Sequence, residues 1–216
     1  MKSDWVPLSA SALVIGAMAL VFGALLNPAD AGASTARTLQ VAGEDSARWL
    51  AMAVMYLIAS WTLTLGLPAV LTLFERRGRR IGLAGCALFA VGAIGTSGYA
   101  MLLVFFRAMV VADAVRGKAL ERVSGDPALS VFLEVWVGGF YLGVLLLAIG
   151  LLRSGSVPRW APVLMILFVV ALPFSSSMGR IGTALQVMAL AVAFTAVAMA
   201  AVTGEQTRRP VGQPAF

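Results

Sequence analysis

Long stretches without a charged side chain recur along this chain, the first of them from Val6 to Leu26. An α-helix needs about 20 mostly apolar residues to cross the hydrocarbon core of a bilayer. Only helices and closed barrels can cross, because no water is there to satisfy backbone N–H and C=O groups. Composition agrees: of 216 residues, 60% are hydrophobic and 12% charged, against about 25% charged in a soluble domain. So few polar groups could not cover this much apolar surface in water. The sequence predicts an all-α polytopic transmembrane bundle.

Six spans are expected: Val6 to Leu26, Trp49 to Phe74, Ile81 to Val111, Pro127 to Leu152, Ala161 to Met178 and Ile181 to Val202. They make one domain over residues 1–202, and the Gly-, Pro-, Gln- and Arg-containing tail 203–216 is expected to be disordered. Asp126-Pro127 supplies an N-cap with proline at the first helical position. Gly78 and Gly155 follow arginines at the ends of apolar runs and read as glycine stops. Trp5, Trp49 and Trp160 stand at span ends, where amphipathic rings favour the headgroup layer. The loop from Asn27 to Arg48 has room for a short helix, and Asp113 to Gly125 is expected to continue the third span above the membrane.

Lysine and arginine set the orientation. With the N-terminus inside, Lys2, Arg76, Arg77, Arg79, Arg80, Arg153, Arg159, Arg208 and Arg209 fall on the inner side, mostly in short loops. Arg37, Arg48, Arg107, Arg116, Lys118, Arg122 and Arg180 fall outside, several of them in one long segment. Short loops carry the weight of the rule, so both termini are expected to be cytoplasmic. Lys2, the first apolar run and Ala29-Asp30-Ala31 also resemble a secretory signal with a small-residue cleavage site. The length of the run and Asp4 favour a retained helix.

Several chemistries are excluded at once. The chain contains no histidine, which removes His-ligated haem, HExxH zinc and Ser-His-Asp catalysis. Its one cysteine, Cys86, can form neither an internal disulfide nor a thiolate cage, and reads as a small buried residue. No cofactor is expected. The net charge of +6 lies beside apolar segments, where it serves topology rather than nucleic acid. Arginine far outnumbers lysine amid abundant Ala, Gly and Val, a bacterial compositional bias.

Glu134 is the one carboxylate inside an expected span, about 10 Å along its helix from Pro127. A charge at the bilayer centre costs about 2.5–3.5 kcal/mol on insertion scales, less near the surface, so Glu134 calls for a partner, a proton or a water-filled cavity. Arg107, at comparable depth on the third span, and Arg180, at the outer turn, are the candidate partners. Helical spacing places Thr96, Tyr99, Leu103 and Arg107 on one face, Glu134, Gly138 and Tyr141 on another, and Tyr56, Ser60 and Thr64 on a third. Three polar stripes, each with a tyrosine, could line a cavity opening outward. The competing reading is a structural Arg107–Glu134 ion pair with Ser, Thr and Tyr hydrogen-bonded between helices. Trp61 and Trp136 read as packing residues. Pro68 removes the donor for the Thr64 carbonyl and is expected to kink the second span, and Pro173 marks a second break. Gly139 and Gly143 form GxxxG, Ala19 and Gly23 a related pair, and Gly85, Gly92 and Gly95 line part of the third span. Such residues let helix backbones approach, here within the bundle rather than between copies.

Taken together, Gly138-Gly139-Phe140-Tyr141-Leu142-Gly143-Val144-Leu145-Leu146-Leu147-Ala148-Ile149-Gly150-Leu151-Leu152-Arg153, the following Val157-Pro158-Arg159-Trp160-Ala161, and Leu67-Pro68-Ala69-Val70-Leu71 resemble uncharacterised six-span membrane proteins of actinobacteria and their relatives, of the domain-of-unknown-function type. The resemblance implies an all-helical bacterial inner-membrane protein and transfers no catalytic residue. The expectation is a non-enzymatic structural, regulatory or accessory component of the bacterial plasma membrane. Its partners would be the lipid bilayer and a membrane protein or second copy. The alternative is a small-solute transporter or permease using Glu134 in an outward-facing cavity.

Overall fold

The computed structural model describes residues 5–29, 34–74, 78–112, 114, 122, 125–174 and 179–208, without the side chains of 35, 36, 39, 180 and 205–208. The described residues form seven α-helices and one short 3-10 helix, with no strand among them. They are α1 (Trp5–Leu26), α2 (Thr35–Glu44), α3 (Ser46–Leu71), α4 (Arg79–Val111), α5 (Pro127–Ser154), α6 (Trp160–Val170), the 3-10 turn Leu172–Phe174, and α7 (Gly179–Arg208). Five of them, α1, α3, α4, α5 and α7, are long and apolar enough to cross a membrane. Exposed Leu8, Trp61, Leu65, Met101, Phe105 and Met199 cover their outer surfaces, as hydrocarbon solvent allows and water does not. This is the architecture of a membrane-embedded bundle.

The expected fifth span is the principal departure. Only Trp160–Val170 of it is α-helical, 11 residues, or about 16 Å of rise. Proline is the cause: Pro173 has no N–H and disfavours helical backbone at the residue before it, so the chain tightens into 3-10 geometry over Leu172–Phe174. Residues 175–178 lie outside the described residues. Two other boundaries also move. α3 ends at Leu71, where Thr72, Leu73 and Phe74 N–H bond to carbonyls three residues back. Gly78, at φ +77°, therefore does not stop α3 but opens α4, its carbonyl accepting from Gly82 N–H. At the other end α7 runs to Arg208, beyond Val202, and residues 209–216 lie outside the described residues. The expected caps at Asp126 and Gly155 are present, with Asp126 accepting from Leu129 N–H and Gly155 at φ +66° donating to Leu151 O. The continuation of α4 through Asp113 to Gly125 falls mostly outside the described residues, and the helix ends at Val111.

The long helices and α6 close a ring. α1 packs on α3, α3 on α4, α4 on α5, α5 on α6, α6 on α7, and α7 returns to α1. α6 and α7 are antiparallel: Gln186, early in α7, donates to the Phe168 carbonyl late in α6, whereas Ala196 to Gly204 share a groove with Ser156, Pro158 and Trp160 at the start of α6. One end of the ring carries the basic loops with Arg79, Arg80, Arg153 and Arg159. At the opposite end α2 lies against α4, where Ala42, Trp49, Met52, Ala53 and Leu103 make a second small core. Trp49 is buried there and donates to the Leu103 carbonyl at 2.9 Å. It is thus a packing residue rather than a headgroup anchor.

Glycine permits the closest approaches. Gly92 stands against the backbone of Phe140, and Gly143 against that of Phe89, a reciprocal seam between α4 and α5. Gly16 and Gly66 make the same exchange between α1 and α3, a Cβ on Gly66 falling 2.7 Å from Leu13 Cα. Lipid offers helices no hydrophobic drive to associate, so van der Waals contact at this range is what holds them. Two interhelical hydrogen bonds brace α3 beside Pro68. Ser9 on α1 donates to the Leu65 carbonyl at 2.7 Å and accepts from Ala69 N–H at 3.0 Å. These are backbone groups that pair with each other in an unbroken α-helix.

Candidate functional site

The three tyrosines named by helical spacing do meet. Tyr56 on α3, Tyr99 on α4 and Tyr141 on α5 line one chamber of about 610 Å³ in the half of the ring away from the basic loops. Leu20, Ala24, Asn27 and Ala29 wall it from α1 and beyond its end, Phe168 and Leu172 from the α6 segment, and Thr183 and Val187 from α7. The short sixth helix belongs to this geometry, because the wall it provides passes from α-helix to 3-10 turn beside the chamber. Towards the basic loops the ring is filled by Phe89, whose ring meets Phe140 at 5.1 Å and Phe194 at 5.5 Å.

Glycine makes room for the aromatic walls. A Cβ on Gly23 would strike the Tyr56 ring at 2.8 Å, and one on Gly95 would strike the indole of Trp136. Tyr99 stacks on Trp136 with centroids 4.5 Å apart, and Tyr141 on Phe168 at 5.0 Å with the planes 1° from parallel. Tyr56 tilts against Tyr99 at 5.9 Å. Trp136 Nε1 donates to Thr96 Oγ1 at 3.0 Å, and Thr96 donates to the Gly92 carbonyl at 3.0 Å. Both are satisfied within the wall. The phenol oxygens differ: among the described residues none of the three has a hydrogen-bond partner, and none is sealed from the chamber or its mouth.

The remaining predicted residues lie elsewhere. Ser60 is buried and donates across to the Ala93 carbonyl at 2.6 Å, while Thr64 donates to Ser60 O of its own helix at 2.8 Å. Arg107 Nε is bonded to the carbonyl (3.2 Å) and hydroxyl (2.5 Å) of Ser46, the first residue of α3. Glu134 is exposed on α5 among exposed Val131, Phe132 and Val135 and does not line the chamber. Among the described residues no ion pair joins Arg107 to Glu134; the pairs are Arg37–Glu44 and Arg48–Asp45, both beside α2. Depth along two helices can be matched from sequence, but their rotation about their axes cannot, and rotation turns Arg107 to α3. The side chain of Arg180 lies outside the described residues. Cys86 is buried, in line with its sequence reading.

Trp136, read from the sequence as a packing residue, packs on Tyr99, and it lines the chamber as well. Its signal was present, since it lies one helical turn from Phe140 and near Tyr141, on the edge of the α5 stripe. Asn27, Phe168 and Thr183 gave no such signal. They reach the chamber only through the α1–α7 closure and the α6–α7 hairpin. Among the described residues no three His, Cys, Asp or Glu side chains are grouped to hold a metal. The chamber wall contains no Asp, Glu, Lys or Arg among the described residues. What it offers a guest is aromatic surface and hydroxyl donors. No protein-family model, curated protein or solved structure matches this chain.

Proposed function

We propose that this protein is a non-catalytic accessory component of a bacterial plasma membrane that holds a small uncharged ligand in the tyrosine-lined chamber. One observation carries the reading: a volume of about 610 Å³, within the 300–1,000 Å³ usual for ligand sites, is lined by Tyr56, Tyr99 and Tyr141, whose phenols have no hydrogen-bond partner among the described residues. The phenol oxygens are accessible rather than sealed, so a guest with acceptors can take their hydrogen bonds. The transporter alternative rested on Glu134, and Glu134 stands outside the chamber.

The membrane arrangement follows the same reading. The chain crosses six times, the fifth crossing being made by short α6. The antiparallel packing of α6 and α7 supports this, because a full span by α7 requires α6 to have carried the chain across first. Both termini are cytoplasmic, with the basic loops between α3 and α4 and between α5 and α6 on the inner side. The chamber then opens outward.

Solvent extraction of the purified protein tests the function. Wild type is expected to release a small uncharged molecule in stoichiometric amount by mass spectrometry. Val137→Trp, which fills the chamber from α5, should release none while keeping its thermal midpoint. Identical extracts from the two proteins would refute the proposal.

A further inference from the structure

The chemistry of the chamber narrows what it can hold; this inference rests on reading the chamber as a binding site. The donors must be accounted for first. Trp136 gives its proton to Thr96, Thr96 to Gly92, and Thr183 to the Gly179 carbonyl. Among the described residues no hydrogen bond takes the phenol protons of Tyr56, Tyr99 and Tyr141, which line the chamber. The amide oxygen of Asn27 already accepts from Ala29 N–H at 3.1 Å. The wall thus keeps unspent phenol donors, which a guest carrying acceptors can use, while the same oxygens can also accept.

Charge is the second constraint. Among the described residues no ionised side chain lines the chamber, so a charged guest would lose its hydration there without gaining a counter-ion from them, which an apolar site penalises heavily. Shape is the third. Two aromatic stacks, Tyr99 on Trp136 and Tyr141 on Phe168, flank the site, and aromatic faces favour flat rings by offset stacking or edge contact.

We propose that the chamber binds an uncharged carbonyl-bearing molecule with a flat ring, of the chemical class of a membrane-soluble quinone head, whose carbonyl oxygens accept from Tyr56, Tyr99 and Tyr141. The claim concerns recognition and includes no electron transfer. A membrane offers carbonyl acceptors from a second source, the acyl esters of its own lipids, so the test must separate ring from ester.

Binding to the full chain in lipid nanodiscs, with empty discs subtracted, is measured for three probes: menadione, 2-methylnaphthalene and dioleoylglycerol. Menadione and 2-methylnaphthalene share a fused ring, and only menadione has carbonyls. Menadione is expected to bind roughly tenfold or more tighter than 2-methylnaphthalene, as two or three neutral hydrogen bonds would give. The variant Tyr56→Phe/Tyr99→Phe/Tyr141→Phe keeps every ring and is expected to reduce menadione to the level of 2-methylnaphthalene. The single Tyr→Phe variants, each retaining the wild-type thermal midpoint, should show partial losses if the triple variant does not fold. Val137→Trp should block both rings. Equal binding of the two rings, or menadione binding indifferent to every Tyr→Phe change, overturns carbonyl recognition and leaves the chamber as a binding site. Dioleoylglycerol bound in a Tyr-dependent way while menadione is not bound overturns the flat ring and assigns the carbonyl to lipid ester. If no probe binds, this inference falls, and the extraction experiment decides separately whether the chamber is a site at all.

Discussion

Removing a single oxygen atom from α1 should loosen α3. Ser9 is 6% exposed, and its hydroxyl bridges Leu65 O (2.7 Å) and Ala69 N (3.0 Å) on either side of Pro68. Ser9→Ala leaves these two backbone groups without the bridge at almost no change in volume. Each buried polar group stripped of its partner costs about 1–3 kcal/mol in water-soluble proteins. Interhelical hydrogen bonds in a membrane protein average only about 0.6 kcal/mol, with a maximum near 1.7, because the unpaired groups find other partners. Here the alternative partner is close: Leu65 O and Ala69 N can turn back to each other, although Pro68 already denies Thr64 O its donor and limits that adjustment. The expected loss is therefore about 1–2 kcal/mol. Reversible unfolding in mixed micelles of SDS and mild detergent, followed by circular dichroism, measures it. A double-mutant cycle with Pro68→Ala sharpens the argument. With a proline-free α3 able to close its own ladder, Ser9→Ala should cost less, giving a coupling of about 0.5 kcal/mol or more. A Ser9→Ala cost below about 0.3 kcal/mol, within the scatter of additive sites, would refute the bridging role.

Other expectations test packing and orientation. Gly143→Ala places a Cβ against the Phe89 backbone, where no flexible side chain can yield, and should destabilise the fold by about 1–3 kcal/mol. Gly138→Ala meets nothing within 4 Å and should be neutral or stabilising by up to about 1 kcal/mol through helix propensity, so equal losses in the same micelle assay would contradict the α4–α5 seam. Trp49→Phe removes the donor to Leu103 O and should cost about 1 kcal/mol, read as a lowered thermal midpoint, with no effect on chamber binding. Gly78→Cys in a Cys86→Ala background should react with a membrane-impermeant maleimide only after cells are opened. Labelling of intact cells would reverse the proposed orientation.

Much of the architecture can be read along the chain because hydrocarbon imposes a local rule: each crossing must satisfy its own backbone hydrogen bonds. Length and apolarity alone thus locate the cores of α1, α3, α4, α5 and α7. Period 3.6 places Tyr99 with Thr96, and Tyr56 with Ser60, on the faces that turn inward. Local chemistry also carried the caps at Asp126 and Gly155 and the break at Pro173, although only the fold shows that this break shortens α6. Rotation of one helix against another is a different matter, being decided by contacts between residues far apart in sequence. It is Gly92 against Phe140, and Gly143 against Phe89, that fixes how α4 and α5 face each other. That rotation leaves Glu134 exposed, while Arg107 is held by Ser46 across the α3–α4 contact. The chamber is likewise tertiary: Asn27, Tyr56, Tyr99, Trp136, Phe168 and Thr183 come from distant points in the chain and meet only when α7 closes the ring on α1.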